Sequence, residues 1–245
     1  MSSDKSYLAL RLEGPLHSWG FDSQYNRRNT GLMPTKSAVA GICCAAMGSA
    51  RGSEREQEFL ASFGAVRMTA IAIPRKPGKN ELSVRRLQDY HTVGGGYDPT
   101  NPNERGSITV SAEDGKPRAK NGQALAVLTH RQYLTDASFG VVLEGTPSML
   151  KQIAEALENP VWGVWLGRKA CIPTAPIFAG IRDSKDEALS LLIGENSLEQ
   201  YIRQVEAENF ADGRDSLPDM PISFATDRRL FSPRRVKTLQ AGEKG

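Results

Sequence analysis

Hydrophobic periods of two and of 3.6 residues take turns along this chain, and the order in which they do so leaves few folds open. "SYLALRLEG", residues 6–14, alternates Leu8, Leu10 and Leu12 with Tyr7, Ala9 and Arg11, the pattern of a strand. "PTKSAVAGICCAAMG", residues 34–48, switches to a helical stripe of Val39, Ile42, Cys43, Ala46 and Met47. Pro34 bars helix upstream of that stripe, Thr35 supplies a cap and Gly48 a stop. "AVRMTAIAI", residues 65–73, reads as a second strand, and Phe139, Val141 and Leu143 alternate in a third. From Thr146, "TPSMLKQIAEALEN" is a capped helix with proline at its first position and Leu150, Ile153, Ala154 and Leu157 on one face.

Strand, helix, strand, strand, helix, with one more strand to follow, is the order of a β-α-β-β-α-β domain, so the expected fold class is α+β and ferredoxin-like, spanning 1–181. The last strand is expected within "VWGVWLGRKACIPTAPIFAGI", residues 161–181. One long excursion interrupts the pattern. From Pro74 to about Gly122 the chain loses hydrophobic periodicity and fills with Gly, Pro, Asn, Lys and Arg, which predicts an insertion over about 75–124. Residues 182–245 are expected to form a small C-terminal extension. In its acidic part Ser184 with Glu187 and Ser197 with Gln200 fit capping boxes, and Leu198, Tyr201, Ile202 and Val205 make a helical stripe; a basic, β-like tail follows from Met220 to Gln240.

Composition narrows the function classes. No apolar run approaches the ~20 residues of a membrane span, and the polar start "MSSDKS" is no secretory signal, so the cytoplasm is the expected compartment. Three cysteines, two of them adjacent at Cys43 and Cys44, make neither a disulfide framework nor a zinc site, and no metal or cofactor is expected. The net charge of +3 is unevenly divided: residues 1–74 carry +2, residues 75–131 +4, residues 132–226 −7 and residues 227–245 +4. That segregation points basic segments at a polyanion.

Lys36 and Ser37 stand where a P-loop would end, but Thr30 and Thr35 occupy both of its glycine positions, so a nucleotide site is excluded. What remains is a helix start, Thr35, Lys36 and Ser37, whose free amides and dipole attract anions. Arg27 and Arg28 precede it in a loop of aromatic and polar residues. "RRLQDYHTVGGG", residues 85–96, adds Arg85, Arg86, Tyr90 and His91, cations for phosphates and flat rings for bases. RNA cleavage would need a base, an acid and a cation; His17, His91 and His130 with Tyr25 or Tyr90 and Lys36 are the candidates for such a set. No H-E-x-x-H or G-x-S-x-G is present.

Six segments, "LRLEGPLHSWG", "PTKSAVAGICCAAMG", "LQDYHTVGGG", "HRQYLTDASFGVVLEG", "LGRKACIPTAPIFAG" and "FATDRRLFSPRRV", resemble in order and spacing the CasD family of CRISPR-associated proteins. The resemblance runs from about Tyr7 to Val236 and is weakest around residues 183–216. It implies a RAMP-type ferredoxin-like domain (the RRM class of sheet) whose insertion is a β-hairpin thumb. It also implies a non-catalytic subunit of the Cascade interference complex that holds the 5′ handle of the CRISPR RNA, contacts the backbone subunit CasC and the large subunit CasA, and meets target DNA through the assembled complex in antiviral defence. Carried over by position, the helix start at Thr35, Lys36 and Ser37 falls on the handle-binding face, "LQDYHTVGGG" opens the thumb, Arg131 and Tyr133 match R-x-Y-L-x-D, and Arg168 and Lys169 match the basic pair after "LG". Type I-C relatives are endoribonucleases using tyrosine, lysine and histidine. In this chain no histidine directly follows a lysine, as their motif would have it.

Overall fold

The computed structural model describes all residues except 1–4, 21, 22, 25, 75–84, 94–118, 121, 122, 125, 126 and 245. Tyr25 and most of the predicted insertion, including the glycine run, lie outside the described residues.

The expected strand–helix order is present. Strand β1 (Ser6–Glu13) leads through short strands β2 (Leu16–His17), β3 (Ser23–Gln24) and β4 (Arg27–Arg28) to helices α1 (Lys36–Ala46) and α2 (Glu54–Phe63). Then come β5 (Arg67–Ala72), β6 (Arg85–Val93), β7 (Ala119–Lys120), β8 (Gln123–Ala124), β9 (Val127–Thr135) and β10 (Ser138–Gly145). Helix α3 (Pro147–Glu158), β11 (Phe178–Arg182), α4 (Lys185–Ile193), β12 (Arg203–Glu206), β13 (Asp215–Ser223) and β14 (Leu230–Leu239) complete the chain. The result is a mixed α/β fold with an antiparallel main sheet and, among the described residues, four α-helices.

That sheet runs β11-β1-β10-β5-β12-β14-β13. Its central pair sets Leu8 opposite Leu143, Leu10 opposite Val141 and Leu12 opposite Phe139, so the alternating residues of the sequence form one continuous apolar layer. Helices α1 and α3 cover this layer: Val39, Cys43 and Ala46 meet Leu150, Ile153 and Leu157 over it. Ala9, Ile71 and Val142 point the other way and are buried too, because α4 lays Ala188, Leu189 and Leu192 on that face. Coverage on both sides explains why every residue of β5 after Arg67 is buried.

The stripe Leu198, Tyr201, Ile202 and Val205 does not become a helix. The chain makes one 3-10 turn at Leu198–Gln200 and then extends as β12, with Arg203 opposite Ile71 and Val205 opposite Thr69. The exposed backbone edge of β5 needs hydrogen-bond partners, and pairing with β12 supplies them; the tertiary demand overrides the local period. Ser197 accordingly accepts from Glu199 N rather than capping a longer helix.

A second sheet stands beside the first. Strands β6 and β9 pair antiparallel over nine residues each, from Arg85 opposite Thr135 to Val93 opposite Val127, and β4 joins β9 in parallel.

Four charges close the fold internally. Lys36 Nζ lies 2.9 Å from Glu206 Oε1 and also donates to Val66 O. Glu206 Oε2 accepts from Met68 N at 3.0 Å and lies 3.5 Å from Arg234 Nη1. Arg234 grips Asp219 with two bonds, 2.9 and 2.8 Å, and Asp219 Oδ2 accepts from Lys36 N at 2.9 Å. Lys36 has no exposed surface. Burial pulls its ammonium pKa down, Glu206 opposes that and Arg234 adds to it, with a net lowering.

Candidate nucleic-acid interface

The buried charge cluster corrects the sequence reading of the helix start. The α1 N-terminus does hold an anion, but the anion is Asp219 of the same chain. Thr35 is buried as the cap, accepting from Ala38 N, and Ser37 Oγ donates to Thr35 Oγ1 at 3.2 Å. Lys36 is locked in an ion pair and presents nothing to a phosphate.

The other predicted residues do come together. Parallel pairing sets Arg27 beside His130 and Arg28 beside Arg131 on β4 and β9. Antiparallel pairing sets Tyr90 of β6 opposite His130, and Asp89 opposite Arg131. Arg27 and Arg28 are exposed, and Tyr90 keeps 60% of its surface in solvent with its ring 5.0 Å from the His130 ring. Across the strand from Tyr90, His91 Nδ1 lies 3.1 Å from Asp89 Oδ2. Arg131 is half-buried, its Nε donating to Thr129 Oγ1 at 3.0 Å.

The basic pair after "LG" divides its duties. Arg168 lies 4.9 Å over the Tyr133 ring and donates to Gln132 O at 3.0 Å and Arg28 O at 2.8 Å, so it ties β4 to β9. Tyr133, carried over with Arg131 from the family motif as a candidate RNA contact, is buried beneath it and offers no ring to a base, so it drops out of that candidate set. Lys169 is exposed and faces a cleft. Arg168→Ala is expected to loosen β4 without unfolding the protein, costing about 1–2 kcal/mol locally. Amide exchange at His130, whose N–H bonds to Asn26 O, would speed up roughly tenfold while α1 keeps its protection.

His17 is also placed outside any reactive set. It is fully buried, bonded to Gly14 O at 3.1 Å and packed edge-on against Trp19 and Phe139. Its role is in the core, and only His91 and His130 remain near the protein surface. Among the described residues no group of three or more His, Cys, Asp or Glu side chains is placed to hold a metal ion, and no helix is long and apolar enough to cross a membrane.

Sequence reasoning missed the cleft that Lys169 faces. It has a volume of about 630 Å³ and lies between α1, the start of α2 and the Trp162–Trp165 loop, with Arg51, Arg229 and Phe231 among its lining residues. The Trp162 loop reaches it by bonding back to the end of α1, Val161 N to Ala46 O and Trp162 N to Ala45 O. Partial burial holds the Arg229 pKa below its ordinary value, and the neighbouring Arg51 and Arg28 charges lower it further. The cleft and the β4–β9 ribbon therefore share one electropositive region. The signal was "VWGVW", two tryptophans astride a glycine, read only for its strand content.

Clustered cations beside exposed aromatic rings, on sheets rather than at a metal or nucleotide site, define the chemistry of proteins that hold single-stranded nucleic acid. Comparison with known proteins identifies the family. A family model described as CRISPR-associated protein (Cas_Cas5) matches residues 7–237. The chain belongs to this family, the CasD/Cas5 group of CRISPR-associated proteins. The CRISPR system Cascade subunit CasD of Escherichia coli (strain K12) is 32% identical over 193 residues, 77% of this chain and 76% of that protein. A chain of a solved CRISPR RNA-guided surveillance complex superimposes with a TM-score of 0.68 at 28% identity, covering 96% of this chain and 90% of that one. A crystal structure of a Cas protein gives 0.60 at 27% identity, with coverage of 96% and 95%.

Proposed function

We propose that this chain is a non-catalytic CRISPR RNA-binding subunit of a Cascade interference complex, holding the 5′ handle of the guide RNA and docking the backbone subunit CasC and the large subunit CasA in antiviral defence. The observation that carries this is the register of β4, β9 and β6, which gathers Arg27, Arg28, Arg131 and exposed Tyr90 on one ribbon. Cations to neutralise phosphates and a ring to stack a base are what a single strand requires. The order β11-β1-β10-β5, with α1 and α3 on one face, supports a ferredoxin-like, RAMP-type core. The nine-residue β6–β9 pairing supports reading residues of about 75–124 as a thumb whose base is this ribbon, with 182–245 as the extension. The names of the relatives support membership in a CRISPR RNA-guided assembly that meets target DNA as a whole.

The test is to incubate the purified full chain, in EDTA, with labelled RNA spanning the repeat of its own CRISPR locus, and to follow mobility and length over a salt series. A shift without shortening is expected. Arg28→Ala with Arg131→Ala should weaken binding about tenfold or more and reduce the salt slope by about 1.4, two phosphates at ~0.7 each. A discrete cut would instead establish a metal-independent endoribonuclease, and an unchanged slope would remove the ribbon from the RNA contact.

A further inference from the structure

Four observations converge on the cleft between α1 and the Trp162–Trp165 loop. Two of its lining residues, Glu56 and Ser49, are 0% and 4% exposed, yet Glu56 Oε1 and Ser49 Oγ have no hydrogen-bond partner among the described residues. The other Glu56 oxygen, Oε2, accepts from Gly52 N at 2.9 Å, which fixes the carboxyl group in place. Buried polar atoms are nearly always paired, so two orphans in one cleft mark a partner the chain itself does not supply.

Gly41 is the second observation. It sits inside α1 and lines the same cleft, and among the described residues no atom beyond its chain neighbours and the adjoining backbone of α1 lies within 4 Å of the place a Cβ would occupy. Glycine is a poor choice in a helix interior, and no neighbour among the described residues demands it here. Third, Trp162 and Phe231 on the walls keep 46% and 41% of their surface exposed. Fourth, no carboxylate pairs with Arg51 or Arg229 among the described residues.

We propose that this cleft takes one unstacked nucleotide of single-stranded RNA, with Glu56 and Ser49 reading an amino group on its base. This rests on the RNA-binding reading above and adds a base preference to it. The aromatic walls stack the base, Arg51, Arg229 and Lys169 neutralise the adjoining phosphates, and the missing Gly41 side chain leaves room against the helix. The cleft volume of about 630 Å³ lies in the ordinary range for small-ligand sites. A fixed carboxylate oxygen accepts from an exocyclic amine, which adenine, cytosine and guanine carry. Uracil offers only an N–H flanked by two carbonyl oxygens, which would set oxygen against oxygen.

The test uses the purified full chain and the quenching of its tryptophan fluorescence, Trp162 and Trp165 responding while buried Trp19 gives a constant background. Adenosine, cytidine and uridine 5′-monophosphates and short homopolymeric RNAs of the same bases are the probes. Adenine and cytosine are expected to bind about tenfold more tightly than uracil, the effect of one hydrogen bond to a charged group. Glu56→Gln, whose amide also donates, should bring uracil within about twofold of the others. Gly41→Ala should raise the melting temperature yet weaken all the nucleotides about tenfold, a combination that a purely structural glycine would not give. Equal affinity for the three bases, a preference that survives Glu56→Gln, or full affinity in Gly41→Ala would each overturn the proposal. If repeat RNA binds the wild type without base preference, this inference alone falls; if it does not bind, the RNA-binding reading falls with it.

Discussion

Lys36→Ala is expected to destabilise the protein by about 3–5 kcal/mol, because it takes from buried Glu206 the nearer of its two cations and leaves only Arg234, 3.5 Å away. Urea unfolding would report this as a lower midpoint at unchanged slope. Lys36→Met keeps the volume and should cost nearly as much. Pairing it with Glu206→Gln should recover part of the loss, giving a coupling energy above about 1 kcal/mol. Below its unfolding temperature the Lys36→Ala protein is expected to bind RNA as the wild type does, since the ammonium is fully enclosed. A folded Lys36→Ala variant that had lost RNA affinity would overturn this assignment and return the helix start to the phosphate-binding surface.

The second large effect is expected at Gly167. Its φ is +108°, and a Cβ there would stand 1.9 Å from the Ser18 carbonyl oxygen, which is backbone and cannot swing aside. The approach is enforced by Ser18 N donating to Leu166 O at 2.9 Å, which binds the segment carrying His17 and Trp19 to the Leu166 loop. Gly167→Ala should cost at least about 3 kcal/mol, through strain and displacement of two core aromatics together. Near-ultraviolet circular dichroism would follow the aromatics and thermal unfolding the stability. Gly194→Ala provides the control: its φ of +65° and ψ of −137° strain a non-glycine residue but its Cβ would enter open space, so a loss of about 1–3 kcal/mol from backbone strain alone is expected. Equal costs at the two sites would show that steric contact with Ser18 contributes nothing.

Much of the core could be read from the sequence because each of its elements buries a single face. Leu8, Leu10 and Leu12 alternate, and Leu150, Ile153, Ala154 and Leu157 repeat at helical spacing; these local patterns match the faces that become buried. The stripe at Leu198–Val205 misled because the hydrogen-bonding need of β5, more than 120 residues earlier, decided its conformation. Lys36 misled for a related reason: lysine beside a helix cap has two physical uses, and only the arrival of Glu206, Asp219 and Arg234 distinguishes them. At the candidate interface, Arg27, Arg28, Tyr90, His91 and Arg131 were legible as RNA-compatible types, while their juxtaposition depended on strand register. Glu56, Ser49 and Gly41 were not legible, since an unpaired buried atom and an empty Cβ position exist only in three dimensions.

The charge cluster also imposes an order on biosynthesis. Lys36 leaves the ribosome well before its partners Glu206 and Asp219, which follow 170 and 183 residues later. At the roughly 5–20 residues per second of translation, the ammonium waits about ten seconds or more for a counterion. Over that interval α1 cannot settle against the sheet without stranding a bare positive charge. Helix α1 is thereby held open until β12 and β13 emerge, and their arrival becomes the event that locks it.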